Sequence, residues 1–329
     1  MTEKIAILGA GTWGTALGCV LNKKGYDVLI WLRNREKAAE LSETRHHAKL
    51  PGLVIPEEIV FTADMGDISD ADFVIFAVPS LHIRSTAEKA KDVLRSSQVL
   101  ISVAKGIEKD TLYTMTEVIR DVLPENPVVA LSGPTHAEEV ALDLPTAIVA
   151  ACEDEEASKK VAALFERTCI RAYTNTDIYG VEICAALKNV VALAAGISDG
   201  IGFGDNAKAA IITRGIAEIK RLGLAMGCRE QTFAGLAGIG DVVVTATSRH
   251  SRNNKCGNLI GQGLSVEDAV AEVGMVVEGL NAIEPALMLS EKYGVSMPIV
   301  SAMNRIISGT PPKELARQLM NRRLKNETD

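Results

Sequence analysis

Three glycines near the amino terminus, Gly9, Gly11 and Gly14, stand in the spacing G-x-G-x-x-G. Between a strand and a helix this spacing cradles a pyrophosphate. The first glycine permits a tight turn, the second lets the backbone approach the phosphates, and the third lets helix and strand pack closely. Helix N-terminal amides then face the negative charge. The context here is the required one: the apolar run Lys4–Leu8 precedes the triplet and a helical run ending at Gly25 follows it. A dinucleotide site is therefore expected, in preference to a plain glycine-rich turn. The next strand should end near Leu32, where an NAD-specific site usually carries Asp or Glu for the ribose 2′-hydroxyl. Arg33-Asn34-Arg35 stands there instead. Arg33 suits the 2′-phosphate of NADP, so NADP(H) is favoured and NAD(H) stays open; the alternative is a solvated basic turn.

Lys188 is the second chemical signal. Its helical neighbours, Cys184, Ala185, Val191 and Ala192, are all apolar. Burying a lysine charge is costly, and desolvation lowers the ammonium pKa toward the range useful for proton transfer. The alternative is a lysine that snorkels to solvent. Further along, Gly235-Leu-Ala-Gly238-Ile-Gly240 leads to Asp241, a carboxylate that could position a catalytic lysine or merely cap a helix. Ser251-Arg252-Asn253-Asn254-Lys255 is a dense run of donors suited to a phosphate monoester, or else a solvated basic loop. Lys105-Gly106 and Ser132-Gly133-Pro134-Thr135-His136-Ala137 each follow an expected strand, at the carboxyl edge where such sheets bind ligands.

These groups need elements to hold them. Strands are expected at 4–8, 28–32, 73–78, 99–103, 128–131 and 147–150. Amphipathic helices are expected at 14–24, 36–41, 83–94 and 112–122. Strands alternating with helices imply βαβ units and a doubly wound parallel sheet of Rossmann type. After about Val181 the period becomes helical, with helices expected at 181–195, 206–222, 265–273, 280–292 and 312–322. Glycine-rich loops are expected at 198–206 and 257–265. The expected organisation is a dinucleotide-binding domain at 1–180 and an all-helical substrate domain at 181–329.

Composition narrows the class. An apolar share of 47% and a charged share of 23% belong to a folded globular chain. A net charge of −7 argues against a general nucleic-acid or anionic-membrane binder. The stretch Ile183–Ile197 is interrupted by Lys188 and Asn189 and is expected to be too short to span a bilayer, and no signal peptide is visible. The six cysteines form no C-x-x-C pair and the five histidines no ligand spacing, so free thiols, no metal and a cytoplasmic location are expected.

With these segments in order, the chain closely resembles the bacterial-type NAD(P)-dependent glycerol-3-phosphate dehydrogenases. The matching pieces are G-A-G-T-W-G-T-A-L at 9–17, V-P-S at 78–80, A-K-G-I-E at 104–108 and S-G-P-T-H-A-E-E-V at 132–140. L-K-N at 187–189, G-L-A-G-I-G-D at 235–241, S-R-N-N at 251–254 and V-E-G at 277–279 complete them. The resemblance implies that Thr12, Trp13, Arg33, Lys105, Ala137, Arg252, Val276 and Glu278 touch the cofactor together with the three glycines. It implies that Lys105, Gly133 and Thr135 help to hold the substrate. Lys188 would be the proton donor and acceptor, and Asp241, Ser251, Arg252 and Asn253 would complete the substrate site, the last two near its phosphate. One departure is Lys49, where the family usually has an aromatic residue before Leu50-Pro51.

The expected chemistry is hydride transfer at C2 between sn-glycerol 3-phosphate and dihydroxyacetone phosphate, supplying glycerol 3-phosphate for phospholipid synthesis. In it Lys188 exchanges the proton, Lys105 adds positive charge and Asp241 orients Lys188. The class also suggests a homodimer. Two other readings remain: a dehydrogenase of another hydroxyacid or polyol, separable by phosphate-free analogues, and a cofactor-sensing protein without turnover, which leaves Lys188 and Asp241 unexplained.

Overall fold

In the computed structural model, which describes residues 2–321 and residue 326, the apolar runs of the first half become a single sheet. Its strands are β1 (Lys4–Leu8), β2 (Asp27–Trp31), β3 (Val60–Thr62), β4 (Phe73–Phe76), β5 (Val99–Ser102), β6 (Val128–Ser132), β7 (Thr146–Ala151) and β8 (Ile170–Asn175). They lie in the order β3-β2-β1-β4-β5-β6-β7-β8. Alternate residues of β1 serve opposite faces. Ile5 and Ile7 join one core with the helix Thr12–Lys24, while Ala6 and Leu8 join another with Val74, Phe76 and Ile83. Both faces are covered, which is why these strands read as continuous apolar runs rather than alternating ones.

The sheet departs from the all-parallel expectation at one place: β7 runs antiparallel to β6. The reason is the length of the connection. Between Ser132 and Thr146 the chain forms only the short helix Ala137–Ala141, and a helix of five residues rises about 7.5 Å, too little to return along a strand. The chain therefore turns back at the edge where β6 ends. β3 and β8 were not expected. β3 has only three residues, and β8 has one buried position, Ile170, beside exposed or half-buried ones.

The chain divides into two compact units, Met1–Ala186 with Gly227–Asp241, and Leu187–Met226 with Val242–Asp329. The elements of the second unit's described residues are all helices: the later part of Ile178–Ile201, then Asp205–Ala225, Asp241–Thr247 after its first residue, Arg252–Gly261, Val266–Val273, Glu278–Lys292, Pro298–Ile307 and Pro312–Met320. Residue 322, the end of the last expected helix, lies outside the described residues.

Two loop expectations are corrected. Residues 198–201 continue the helix Ile178–Ile201, and 257–261 belong to the helix Arg252–Gly261. Their glycines are contact positions, not breakers. A Cβ on Gly257 would lie 2.1 Å from the Leu193 carbonyl oxygen and one on Gly261 2.4 Å from that of Ile197. In return, a Cβ on Gly196 would lie 2.1 Å from the Asn254 carbonyl oxygen, and one on Gly200 2.1 Å from that of Asn258. Glycines four apart on both helices let the two backbones touch.

The helix Ile178–Ile201 is also longer than its sequence suggested. It has 24 residues, with a window of mean hydropathy 1.6, so length and composition alone would let it cross a membrane. That window is entirely buried inside the protein, the situation of a core helix.

Candidate active site

Most of the first unit's expected site residues follow the carboxyl ends of β1, β2, β5 and β6. After β1, Gly9 has φ +123° and donates its N–H to the Trp31 carbonyl at 2.8 Å; a Cβ there would lie 2.7 Å from the Ala77 oxygen. Gly14 is equally constrained, since its Cβ would fall 2.2 Å from the Gly9 oxygen. Gly11 differs from both. It is exposed, and a Cβ on it would meet no atom within 4 Å. The backbone there is open to approach by a ligand. Gly11 also caps the helix Thr12–Lys24, whose first turn has no acidic residue. An open backbone beside a helix N-terminus free of opposing charge fits a dinucleotide phosphate.

Thr12 and Trp13 open that helix half-buried, Trp13 packing against the core. The short helix Ala137–Ala141 packs against the same helix, and Ala137 itself is buried. Arg33, past the end of β2, is exposed, and Asn34 beside it caps the helix Arg35–Thr44 by accepting from Lys37 N–H at 2.8 Å. No acidic residue stands at 32–34.

The sequence left the partner of Lys105 open. Its Nζ donates to Asp241 Oδ2 at 2.7 Å and to the Gly133 carbonyl at 3.1 Å, with side-chain exposures of 16% for Lys105 and 0% for Asp241. An ammonium has three N–H groups, so one is left for a ligand oxygen. The carbonyl of Gly133 also accepts from Thr135 Oγ1 at 3.1 Å. Gly133 has φ +146°, and a Cβ would lie 3.1 Å from the Ala147 oxygen, so glycine is required. The run before Asp241 is a wide helical turn, Leu236–Gly240, with Gly238 outside helical geometry at φ −88° and ψ −108°. A Cβ on Gly238 would lie 2.2 Å from the Phe233 oxygen. The glycines of this cluster thus aim a carboxylate into the interior at Lys105, a partner 136 residues distant in sequence that the sequence argument did not name.

In the second unit Lys188 is 5% exposed and donates to Thr245 Oγ1 at 2.8 Å. It does not snorkel. Sequence reasoning missed Thr245; the signal was its place four residues after Asp241 in the helix Asp241–Thr247. It also missed Asn189. Asn189 Oδ1 accepts from Asn253 Nδ2 at 2.9 Å, and Asn253 Oδ1 accepts from Gly279 N–H at 2.8 Å. Gly279 must be glycine, because its Cβ would lie 2.6 Å from the Asn189 oxygen. The donor run 251–255 is the cap and first turn of the helix Arg252–Gly261 rather than a loop. Ser251, buried, caps the helix Arg252–Gly261 by accepting from Asn254 N–H at 3.2 Å. Arg252 is exposed and donates from Nη1 to the Val276 carbonyl at 3.3 Å, while Glu278 begins the helix Glu278–Lys292. A helix N-terminus with a buried asparagine and an exposed arginine can hold a phosphate dianion.

A nucleotide-type sheet with the order β3-β2-β1-β4-β5-β6, a glycine loop at its carboxyl edge and a buried lysine on a second helical unit define a dinucleotide-linked oxidoreductase. The model of the NAD-dependent glycerol-3-phosphate dehydrogenase N-terminus matches residues 4–158, and that of the C-terminus matches residues 177–317. Glycerol-3-phosphate dehydrogenase [NAD(P)+] 2 of Lactobacillus delbrueckii subsp. bulgaricus is 53% identical over 98% of both chains. The Clostridium tetani glycerol-3-phosphate dehydrogenase [NAD(P)+] is 49% identical over 99% of this chain and 95% of its own. The crystal structure of glycerol-3-phosphate dehydrogenase from Coxiella burnetii superposes with a TM-score of 0.94 at 34% identity, over 98% of this chain and 99% of that one. The chain belongs to the NAD-dependent glycerol-3-phosphate dehydrogenase family.

Proposed function

We propose that the protein interconverts sn-glycerol 3-phosphate and dihydroxyacetone phosphate, using NAD(P)(H), with Lys188 as the group that exchanges the proton. The observation that carries this reading is the burial of Lys188 beside the Thr245 hydroxyl. A buried ammonium is costly unless it has a partner and a task. The glycine loop, the N-terminus of Thr12–Lys24, Trp13, Arg33, Ala137, Val276 and Glu278 would hold the dinucleotide. When bound, the reduced cofactor supplies the hydride for C2 of dihydroxyacetone phosphate.

In that direction Lys188 as ammonium gives its proton to the C2 oxygen as the carbonyl becomes an alkoxide. In reverse, neutral Lys188 takes the hydroxyl proton. Thr245 and Asp241 orient the amine of Lys188, and Asp241 also bonds Lys105. Asp241 directs the Lys105 ammonium, and the remaining N–H of Lys105 serves the substrate oxygen together with the turn Gly133–Thr135. Asn253 and Arg252 hold the phosphate, so binding energy remote from C2 positions C2. Ser251 acts as the cap that builds that helix end.

Arg33 and the missing carboxylate after β2 support a preference for NADP(H). The thiols support a cytoplasmic enzyme. All six cysteines are free, and burial holds Cys19 and Cys228 at about 12 and Cys169 and Cys256 at about 11, far from reactive. The product would feed phospholipid synthesis, and a homodimer is the assembly suggested by the class. The test is the loss of NADPH and, separately, NADH absorbance on adding dihydroxyacetone phosphate. Oxidation of either supports the reaction. No oxidation by folded, cofactor-bound protein overturns the substrate, and equal rates with both overturn the preference.

A further inference from the structure

The ring of His47 joins two turns of the first unit. Its Nε2 lies 3.3 Å from the carbonyl oxygen of Ala10, inside the glycine loop. Its Nδ1 lies 3.2 Å from the backbone nitrogen of Lys49. A backbone N–H only donates, so Nδ1 must accept, and the proton of the neutral ring sits on Nε2 and is donated to Ala10. The turn that carries His47 is itself closed by a bridge between His46 and Val54 and held by Arg45, whose Nη1 donates to the Ile59 carbonyl at 2.7 Å.

The carbonyl of Ala10 and the N–H of Gly11 belong to one planar trans peptide and point in opposite directions. Fixing that carbonyl therefore fixes that amide. Gly11 has no side chain, so its own φ does little to hold the direction of this peptide. We propose that His47 is a positioning residue for the dinucleotide: it pins the Ala10–Gly11 peptide so that the Gly11 amide stays turned outward, toward the cofactor phosphates. The inference rests on the dehydrogenase reading and adds to it a residue outside the glycine motif.

Only the neutral ring can do this, because an imidazolium would set a second N–H against that of Lys49. Burial, followed by the charges of Lys37 on the helix Arg35–Thr44 and of Lys49 in the same turn, lowers the His47 pKa, the bond to Ala10 working the other way. The clamp is thus complete above the ordinary histidine range and lost as pH falls through the lowered value. Cofactor affinity should weaken on acidification. An imidazolium acting as a phosphate ligand would give the opposite slope.

The experiment is calorimetric titration of NADPH, without substrate, into the full chain, His47→Ala and His47→Gln, from about pH 5.5 to about pH 8, a range that brackets histidine. His47→Ala should weaken binding about three- to tenfold at the upper end, the scale of one hydrogen bond, with kcat at saturating cofactor unchanged. His47→Gln keeps a donor for Ala10, so it should hold most of the affinity and lose the pH slope. Affinity unchanged in a folded His47→Ala overturns the proposal, as does binding by the unaltered protein that tightens on acidification. Absence of NADPH binding by the unaltered protein overturns the cofactor reading itself, and this inference with it.

Discussion

Gly257→Ala tests the close helix packing of the second unit. An alanine in a helix interior is worth about 1 kcal/mol over glycine, which by itself would stabilise the protein. Against this, the new methyl would sit 2.1 Å from the Leu193 carbonyl oxygen and 2.9 Å from the Ile197 nitrogen, both backbone atoms that cannot rotate away. The helices must separate, and overpacking of this kind costs about 1–3 kcal/mol, here at the upper end. The net is a loss of about 2 kcal/mol, or about 4–8 °C in the melting temperature of a unit this size. The function should change in a particular way. Gly257 lies one turn after Asn253, whose bond to Asn189 spans 2.9 Å. The Michaelis constant for dihydroxyacetone phosphate should rise while NADPH affinity holds. Gly11→Ala is the converse: with φ −74° and open space it should melt as the unaltered protein does, yet bind NADPH more weakly. Calorimetry and steady-state kinetics read both variants. A Gly257→Ala protein with unaltered melting and an unaltered Michaelis constant would refute the packing argument.

Lys188→Ala should lower kcat about 10²–10⁴-fold, the usual worth of a general acid–base, without altering NADPH affinity; turnover at the original rate removes Lys188 from the chemistry. Arg33→Ala should raise the Michaelis constant for NADPH about tenfold, the scale of one charge-assisted hydrogen bond, and leave that for NADH unmoved. Equal effects on the two cofactors would end the 2′-phosphate assignment. Glu182, fully buried, has its carboxyl pushed up by desolvation, while Thr116 accommodates it through N–H and hydroxyl bonds of 2.9 and 2.5 Å. A raised carboxyl pKa means that the folded state holds the proton more tightly, so this contribution to stability is complete below the unfolded value and lost as pH rises through the folded one. Glu182→Gln should therefore gain in melting temperature relative to the unaltered protein as pH increases above that range; a gap independent of pH would contradict the assignment.

What could be read from the sequence was whatever is local. β1 was expected at its observed bounds, because five apolar-ruled residues before a glycine turn admit one reading. The glycine loop and the burial of Lys188 were legible for the same reason: the pattern and the chemistry sit on one short stretch. The misses are non-local. Gly200, Gly257 and Gly261 fall in the expected loops, since nothing in either segment reveals a second backbone pressed against it. The spacing of four between Gly257 and Gly261 was the available sign. Asp241 was recognised as a site residue, but its bond to Lys105 depends on a fold that brings positions 136 residues apart together. The turn of β7 against β6 followed from a short connection whose helix was itself not foreseen.

The division of the chain has a consequence for how the protein is made. The first unit is not a contiguous stretch: it ends at Ala186, yet it includes Gly227–Asp241. A ribosome delivers these pieces in order, so the sheet can assemble well before the segment that completes its unit has been synthesised. Throughout that interval Lys105 has the Gly133 carbonyl but no carboxylate, and Asp177 still lacks the N–H of Arg229 and the hydroxyl of Thr232, from which it accepts at 2.9 and 2.6 Å. Completion of the first unit thus waits for Asp241, so a nascent chain halted after the sheet would hold an unfinished first unit.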